Sequence, residues 1–145
     1  MGRSAPAPAA SRAERIAWTL YDFANSGYTT VVLTTVFNAY FVAVVAGGAG
    51  LSSGAATFLW TASVAAGNVI VLLTAPIAGA IADRHGWKKR LLILSSLGCV
   101  TSMILLGFVR DADLVASVVL LVLSLVMFAT GENLIAAFLP EITSD

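Results

Sequence analysis

The chain has 145 residues, of which 59% are hydrophobic and only 11% are charged. A soluble domain of this length could not bury so much apolar surface, so the composition indicates a membrane protein. The formal net charge of zero excludes a basic surface that follows nucleic acid phosphates. Cys99 is the single cysteine and His85 the single histidine; because they stand in no metal-ligand pattern, no metal and no cofactor are expected.

Four long apolar segments follow an N-terminal region, residues 1–15, that is rich in Ala, Pro and Ser and is predicted to be a disordered cytoplasmic N-terminus. Each segment has the ~20 residues that a helix needs to cross about 30 Å of hydrocarbon. Because backbone polar groups in lipid must be hydrogen-bonded within their own segment, we expect transmembrane helices and an all-α membrane fold. The predicted helices cover about 16–46, 58–82, 91–109 and 114–139, and residues 140–145 are interpreted as a truncated cytoplasmic tail.

Charged residues divide the connections into two classes. Three arginines precede the first helix and four basic residues lie between the second and third, whereas residues 47–57 carry no charge and residues 110–113 are net acidic. Since basic loops stay on the cytoplasmic side, both termini and Trp87 are predicted to be cytoplasmic, and Ser52 and Ala112 external. The absence of a targeting segment favours a bacterial plasma membrane. Aromatic residues near helix ends are expected to form an interfacial belt: Trp18, Tyr21, Tyr40 and Trp60.

The connection between the second and third helices carries an ordered set of glycines and charges. Residues 79–90 read Gly-Ala-Ile-Ala-Asp-Arg-His-Gly-Trp-Lys-Lys-Arg. Asp83 ends a helix, where its negative charge needs a compensating cation, and Gly86 permits a reversal of direction. An ordinary basic turn is the plain alternative, but this order resembles the loop signature of the major facilitator superfamily. The resemblance implies a conformational-switch loop formed by Gly79, Asp83, Arg84, Gly86, Lys88, Lys89 and Arg90.

Polar residues in the first and fourth helices are the candidates for a substrate or proton cavity. Four of them, which share one helix face at spacing i, i+3, i+4 and i+7, are Asp22, Asn25, Ser26 and Thr29. Because an acid and an amide are costly in lipid, this face is expected to look into the bundle or a hydrated cavity; for Asp22, a place among the headgroups is the alternative. The fourth helix adds Glu132 and Asn133. Glu132 is expected at the same depth as Asp22, and a proton shared by the two acids would make protons the coupling ion.

A closer resemblance is carried by Trp18, the run Tyr-Asp-Phe-Ala-Asn-Ser at 21–26, the pair Tyr-Thr at 28–29, Val-Val-Leu at 31–33, and Ala-Phe-Leu-Pro-Glu-Ile at 137–142. These segments are similar to the vacuole-effluxer-like family of major facilitators, which includes autophagy-related amino-acid exporters. The resemblance implies twelve helices in two six-helix halves, of which this chain would supply four from the N-terminal half. It implies no enzyme, but a transporter that exposes a small solute, such as an amino acid, alternately to each side of the bilayer.

Two departures from the family pattern matter. The chain ends at Asp145 after four helices, so the resemblance implies a fragment whose partner is the missing remainder of the transporter. The fourth helix has Gly-Glu-Asn at 131–133, whereas many facilitators place a basic residue there to pair with the loop acid. Asp83 therefore needs a partner that is Arg84, Lys88 or a residue of the missing half.

Two other classes of protein remain open. A complete four-helix transporter of the small multidrug type would work as a dimer around Asp22, and a non-transporting membrane bundle or truncation product would need no site at all. Further hydrophobic segments encoded in frame after Asp145 would favour the facilitator, whereas a stop codon would favour the other two classes.

Overall fold

The computed structural model describes residues 12–136, and all regular secondary structure within that range is helical. Four segments are long and apolar enough to cross a membrane, and they are named the first to fourth spans. This helicity confirms the predicted all-α membrane fold. The spans cover Ile16–Gly48, Ser53–Arg84, Lys88–Leu106 and Leu114–Ala136. The predictions for residues 1–11 and 137–145 lie outside the described residues.

Several helix ends differ from the predicted bounds for local reasons. The first helix begins at Arg12, so the last four residues of the segment predicted to be disordered are helical. The second helix, Ser53–His85, begins five residues before its predicted start. The cause is Ser52, whose hydroxyl oxygen accepts a hydrogen bond of 3.3 Å from the backbone N–H of Ala55 and caps the helix. The third helix, Lys88–Leu106, is displaced by three residues towards the N-terminus relative to 91–109.

The first span is not a continuous α-helix. Its α-helical parts, Arg12–Tyr28, Val36–Tyr40 and Ala46–Gly48, alternate with the π-helical parts Thr29–Thr34 and Phe41–Val45. At Thr35 the backbone leaves helical geometry, with φ −121° and ψ −75°. Six of the seven residues from 29 to 35 are β-branched. The Thr34 hydroxyl also donates to the carbonyls of Thr29 and Thr30, at 3.2 and 3.0 Å. Both features weaken the regular α-helical bonding predicted for this segment.

The fourth span packs against both the second and the third. Its side chains with no exposed surface are Ser117, Leu121 and Ser124. A Cβ atom on Gly67 of the second span would lie 2.6 Å from Leu125, and one on Gly98 of the third span would lie 3.0 Å from Met127. Small residues at these positions let the helices approach closely, which is how membrane helices pack where lipid gives no hydrophobic driving force.

An aromatic cluster fixes the far end of the first span against the second. The Trp60 ring centroid lies 5.9 Å from that of Phe37 and 5.4 Å from that of Phe41. The Tyr40 hydroxyl donates a 3.0 Å hydrogen bond to the carbonyl of Val109, in the connection between the third and fourth spans. Trp60 is only 6% exposed, so its assignment to an interfacial belt is wrong. It is a core residue, and position near a helix end could not reveal the neighbours that cover it.

Candidate functional site

The second and third helices are joined by a reversal of only two residues, Gly86 and Trp87. Gly86 has φ +66° and ψ +23°, which is the left-handed conformation. The backbone N–H groups of Gly86 and Trp87 both donate to the carbonyl of Ala82, the latter at 3.1 Å. This is the helix C-terminus that glycine favours, because a side chain would clash in that conformation. The two-residue turn holds the charges on either side of it close together.

Replacement of Gly86 by Ala is expected to lower the free energy of unfolding by about 1–2 kcal/mol, because a Cβ atom is strained in the left-handed conformation. Asn at this position should cost less, since it visits that conformation more readily. Gly54→Ala is the matched control, because no atom lies within 4 Å of a Cβ there, and a helical alanine should gain up to about 1 kcal/mol. Reversible unfolding in mixed micelles would measure all three variants, and wild-type stability of Gly86→Ala would contradict the expectation.

An ion pair spans the turn. Asp83 Oδ1 lies 3.1 Å from Lys88 Nζ, and the two side chains are 69% and 25% exposed. Water therefore screens the pair, which contributes little to stability. Each charge lies at the unfavourable end of its helix, since Asp83 is near the negative C-terminus of the second and Lys88 is at the positive N-terminus of the third. Of the two local cations considered from the sequence, Lys88 is the one that contacts Asp83.

A cavity of about 300 Å³, named the turn cavity, opens beside this pair between the second and fourth spans. Small residues of the second span form one wall, and no atom lies within 4 Å of the point where a Cβ of Gly79 would be. The fourth span contributes Thr130, Asn133 and Leu134. Asn133, predicted to belong with the intramembrane acids, is exposed and instead shares this cavity with Asp83.

The remaining basic residues of the turn lie at the surface. Arg84, Lys89 and Arg90 are exposed. The guanidinium carbon of Arg90 is 6.0 Å from the centroid of the Trp87 ring, at the outer limit of a cation–π contact. Residues 83–90 contain four Lys and Arg and one Asp. With histidine neutral, four minus one gives the turn a net charge of +3.

Two tyrosines connect the first span to the fourth. The Tyr21 hydroxyl lies over Gly131, so that a Cβ there would come 2.5 Å from the hydroxyl oxygen. The Tyr28 hydroxyl is hydrogen-bonded to the Ser124 hydroxyl at 2.9 Å, and its ring stacks on Phe128 with centroids 4.3 Å apart. Tyr21 therefore packs between helices and does not face the headgroups as predicted. One sequence feature could have indicated this contact: Ser124 and Gly131 are small residues spaced by seven positions in the fourth helix.

A second cavity, of about 340 Å³ and named the side cavity, lies between the first, third and fourth spans. Its walls include Tyr28, Cys99 and Phe128, and none of the lining residues within the described range 12–136 is charged. Asn25 is half-buried and points into this cavity. Of the four polar residues predicted to share one face of the first helix, Asn25 is the one that lines the side cavity, and none of the four lines the turn cavity.

The two acids flank the contact between Tyr21 and Gly131, because Asp22 follows Tyr21 and Glu132 follows Gly131 in the chain. Both are exposed on the surface of the four spans. The structure thus places Asp22 and Glu132 beside one contact between the first and fourth spans, whereas Asn133 lines the turn cavity.

Ser26 and Thr29, the other two candidates in the first helix, are exposed. Their hydroxyls donate to backbone carbonyls one turn earlier, Ser26 to Asp22 at 3.2 Å and Thr29 to Asn25 at 3.4 Å. These bonds satisfy the hydroxyl protons and leave the oxygens as acceptors. The surface that carries Asp22, Ser26, Thr29 and Glu132 is not covered by the described spans.

Comparisons with known proteins identify the family. Residues 52–145 match the family model described as vacuole effluxer Atg22 like. The chain is also 30% identical, over 128 residues, to the uncharacterized MFS-type transporter YxiO of Bacillus subtilis (strain 168). That alignment covers 88% of the chain and 30% of the relative, so the chain spans less than a third of the relative's length. No solved structure matches it significantly. The family match includes the turn, its ion pair and the helices on both sides, and the chain belongs to the vacuole effluxer Atg22-like family.

Proposed function

We propose that this chain is the N-terminal part of a secondary transporter that carries a small solute across a membrane by alternating access, without converting it chemically. The observation that carries the proposal is the turn between the second and third spans, where Asp83 and Lys88 pair against both helix dipoles. Membership of a family described by efflux, and similarity to an MFS-type transporter, support the same conclusion.

The position of the Asp83–Lys88 ion pair favours a role in conformational change over a purely structural role. A charge at the unfavourable end of a helix costs roughly 0.3–1 kcal/mol, and an exposed ion pair returns little of that. A sequence selected for stability alone would exchange the two charges. Local arrangements that lower stability concentrate at functional sites, where the molecule must leave one state for another.

In this proposal the ion pair at the turn is formed in one conformational state of the transporter and broken in the other. While Asp83 is paired with Lys88, the second and third spans keep one relative position. When the pair opens, Asp83 meets a partner elsewhere in the transporter and the other state is favoured. The turn cavity beside the pair, with its open glycine wall, has room for such an approach. A solute drives the cycle by binding the two states with different affinity.

The proposed substrate is an amino acid or a related small solute, and the proposed coupling ion is the proton. Alternating-access transporters bind their substrates between two repeats near the bilayer midplane, and the uncovered surface with Asp22 and Glu132 is suited to face such a site. Ionisable residues inside a membrane are expensive unless they line a hydrated cavity or serve the transport path. Two nearby carboxylates in such a place do not both ionise cheaply, so the pair is expected to share a proton.

The purified 145-residue chain is expected not to transport amino acids, whereas the complete gene product should. The reason is that the substrate site lies between the two halves of such a transporter, and this chain supplies only part of one half. Uptake of labelled amino acids into proteoliposomes under an imposed proton gradient would compare the two. Uptake by the isolated chain would overturn the proposal and favour a small dimer built around Asp22. A complete product that moves no amino acid would refute the proposed substrate.

The proposed orientation places both termini and the turn in the cytoplasm, as the charge distribution predicts. Single cysteines at Ala49 and Trp87, in a Cys99→Ser background, would test it; both positions are exposed, and Ala49 leaves the Ser52 cap intact. An impermeant thiol reagent on intact cells should label Ala49→Cys alone, and permeabilised cells should label both. Labelling of Trp87→Cys but not Ala49→Cys in intact cells would reverse the orientation.

A further inference from the structure

The second span carries an amide in its middle. Asn68 lies about 15 residues, or roughly 23 Å at 1.5 Å per residue, from either end of that span, Ser53 and Arg84. Since the hydrocarbon core is only about 30 Å thick, the amide belongs deep inside the membrane. A polar side chain at such a depth is costly in contact with lipid, and it usually faces a hydrated cavity or another helix.

The two residues beside Asn68 show which directions its side chain avoids. Gly67 is buried and faces the fourth span, because a Cβ atom there would lie 2.6 Å from Leu125. Val69 and Leu73 are exposed apolar residues one turn apart, and their side of the helix is suited to lipid. Successive residues turn by about 100° around a helix, so Asn68 points to neither of these sides. It is exposed, and the described spans leave its amide uncovered.

Asn68 also retains hydrogen-bond donors, unlike the hydroxyl residues of the same span. Those hydroxyls donate to backbone carbonyls one turn earlier, at Thr57, Thr61, Ser63 and Thr74. The amide of Asn68 has no hydrogen-bond partner among residues 12–136. Its nitrogen carries two N–H groups, which are therefore available to a ligand.

The layer of the membrane that contains Asn68 also contains the interruption of the first span. Gly67 contacts Leu125, the adjacent Ser124 is hydrogen-bonded to Tyr28, and the interruption starts directly after Tyr28. Irregular backbone at membrane depth is tolerated where it is buried in protein or lines a water-filled cavity. Thr35, where the backbone leaves helical geometry, is exposed. Two spans thus independently support a hydrated cavity near this layer.

We infer that Asn68 contacts the transported solute, and that its amide N–H groups donate hydrogen bonds to a carboxylate of that solute. This inference rests on the proposed function, since alternating-access transporters bind their substrates near the bilayer midplane. Within residues 12–136, every Lys and Arg lies at the end of a span or between spans. A carboxylate at the depth of Asn68 therefore needs N–H donors in place of a cation.

Accessibility is tested in the complete gene product with its native cysteines replaced. Asn68→Cys should react with a charged methanethiosulfonate reagent, because a thiol in a hydrated cavity ionises and the thiolate is the nucleophile. The amino acid that the wild type takes up fastest should slow this reaction. Val69→Cys, the next residue on the lipid side, is the matched control and should not react. An unreactive Asn68→Cys would place the amide against lipid or another helix and would overturn the inference.

Selectivity tests the contact with the carboxylate. The same amino acid and its carboxamide derivative, which lacks the carboxylate, compete for uptake of the labelled amino acid. Asn68→Asp and Asn68→Ala both remove the N–H donors, so each should lower the preference for the acid over the amide about tenfold or more, the effect of losing a hydrogen bond to a charged group. Thr61→Val removes a hydroxyl that bonds within its own helix and should keep the wild-type preference.

Two further results would contradict the inference. One is an unchanged preference in both variants, because a purely structural role would lower uptake of the two compounds alike. The other is a reaction of Asn68→Cys that the amino acid does not slow. Either result leaves the proposed transport function standing. Failure of the proposed substrate is recognised separately, in the wild type alone, when the complete product takes up no amino acid.

Discussion

Replacement of Asp83 by Asn in the complete gene product is expected to reduce transport roughly tenfold or more, while the free energy of unfolding changes by less than about 1 kcal/mol. The stability change is small because the ion pair is exposed, and because the loss of an acid at a helix C-terminus is itself favourable. The transport change is large because the pair is proposed to bias the conformational equilibrium, and a coupling free energy of 1–3 kcal/mol corresponds to about 5–150-fold. Initial uptake rates and unfolding in mixed micelles would measure the two effects.

Exchanging the charges of Asp83 and Lys88 distinguishes the effect of the ion pair itself from the effect of which helix end carries each charge. Asp83→Lys with Lys88→Asp keeps an ion pair, and it places each charge at the favourable end of its helix. This variant should be at least as stable as the wild type. If Asp83 also meets a partner in the rest of the transporter, the exchanged protein is stable and inactive. Asp111→Asn, which removes an exposed acid of the connection between the third and fourth spans, should transport normally. Wild-type rates in Asp83→Asn would contradict the proposed switch.

The membrane fold was predictable because its determinants are local. Each span is a long apolar run, and in lipid such a run must satisfy its own backbone hydrogen bonds. The turn was predictable for the same reason, since Gly86 and the charges around it are neighbours in sequence. The interruption of the first span was missed because an apolar run was treated as uniform. The β-branched residues from 29 to 35 were the signal that could have revealed it.

The arrangement of the site was only partly predictable. Helical spacing correctly places Asp22, Asn25, Ser26 and Thr29 near one another, but it cannot tell which of them a neighbouring helix covers. In the structure Asn25 lines the side cavity, while the other three are exposed. The contact of Tyr21 with Gly131 joins residues 110 positions apart. No pattern within one helix encodes such a pairing, which depends on how the spans pack.

Glu132→Gln is expected to abolish proton-driven accumulation in the complete gene product and to leave substrate exchange intact. The amide keeps the shape of the carboxyl group but cannot bind and release a proton. Exchange requires only that the solute crosses while the protonation state of the site stays the same, whereas accumulation requires a proton to cross together with the solute. Accumulation under an imposed pH gradient should fall to the level that is reached without the gradient. Exchange of labelled for unlabelled solute, measured without a gradient, should be retained.

Variants of Asp22 test whether Asp22 and Glu132 act as a pair. The two acids flank one contact between the first and fourth spans, so in the proposed pair removal of one charge changes the affinity of the other for protons. Asp22→Asn should therefore shift the pH dependence of accumulation without abolishing it, and Glu132→Asp should preserve coupling because it retains a carboxyl group. Asp111→Asn is the matched control for the loss of an exposed carboxylate and should leave the pH profile unchanged. If Glu132→Gln accumulates solute with the wild-type pH profile, Glu132 has a structural role and protons are coupled elsewhere.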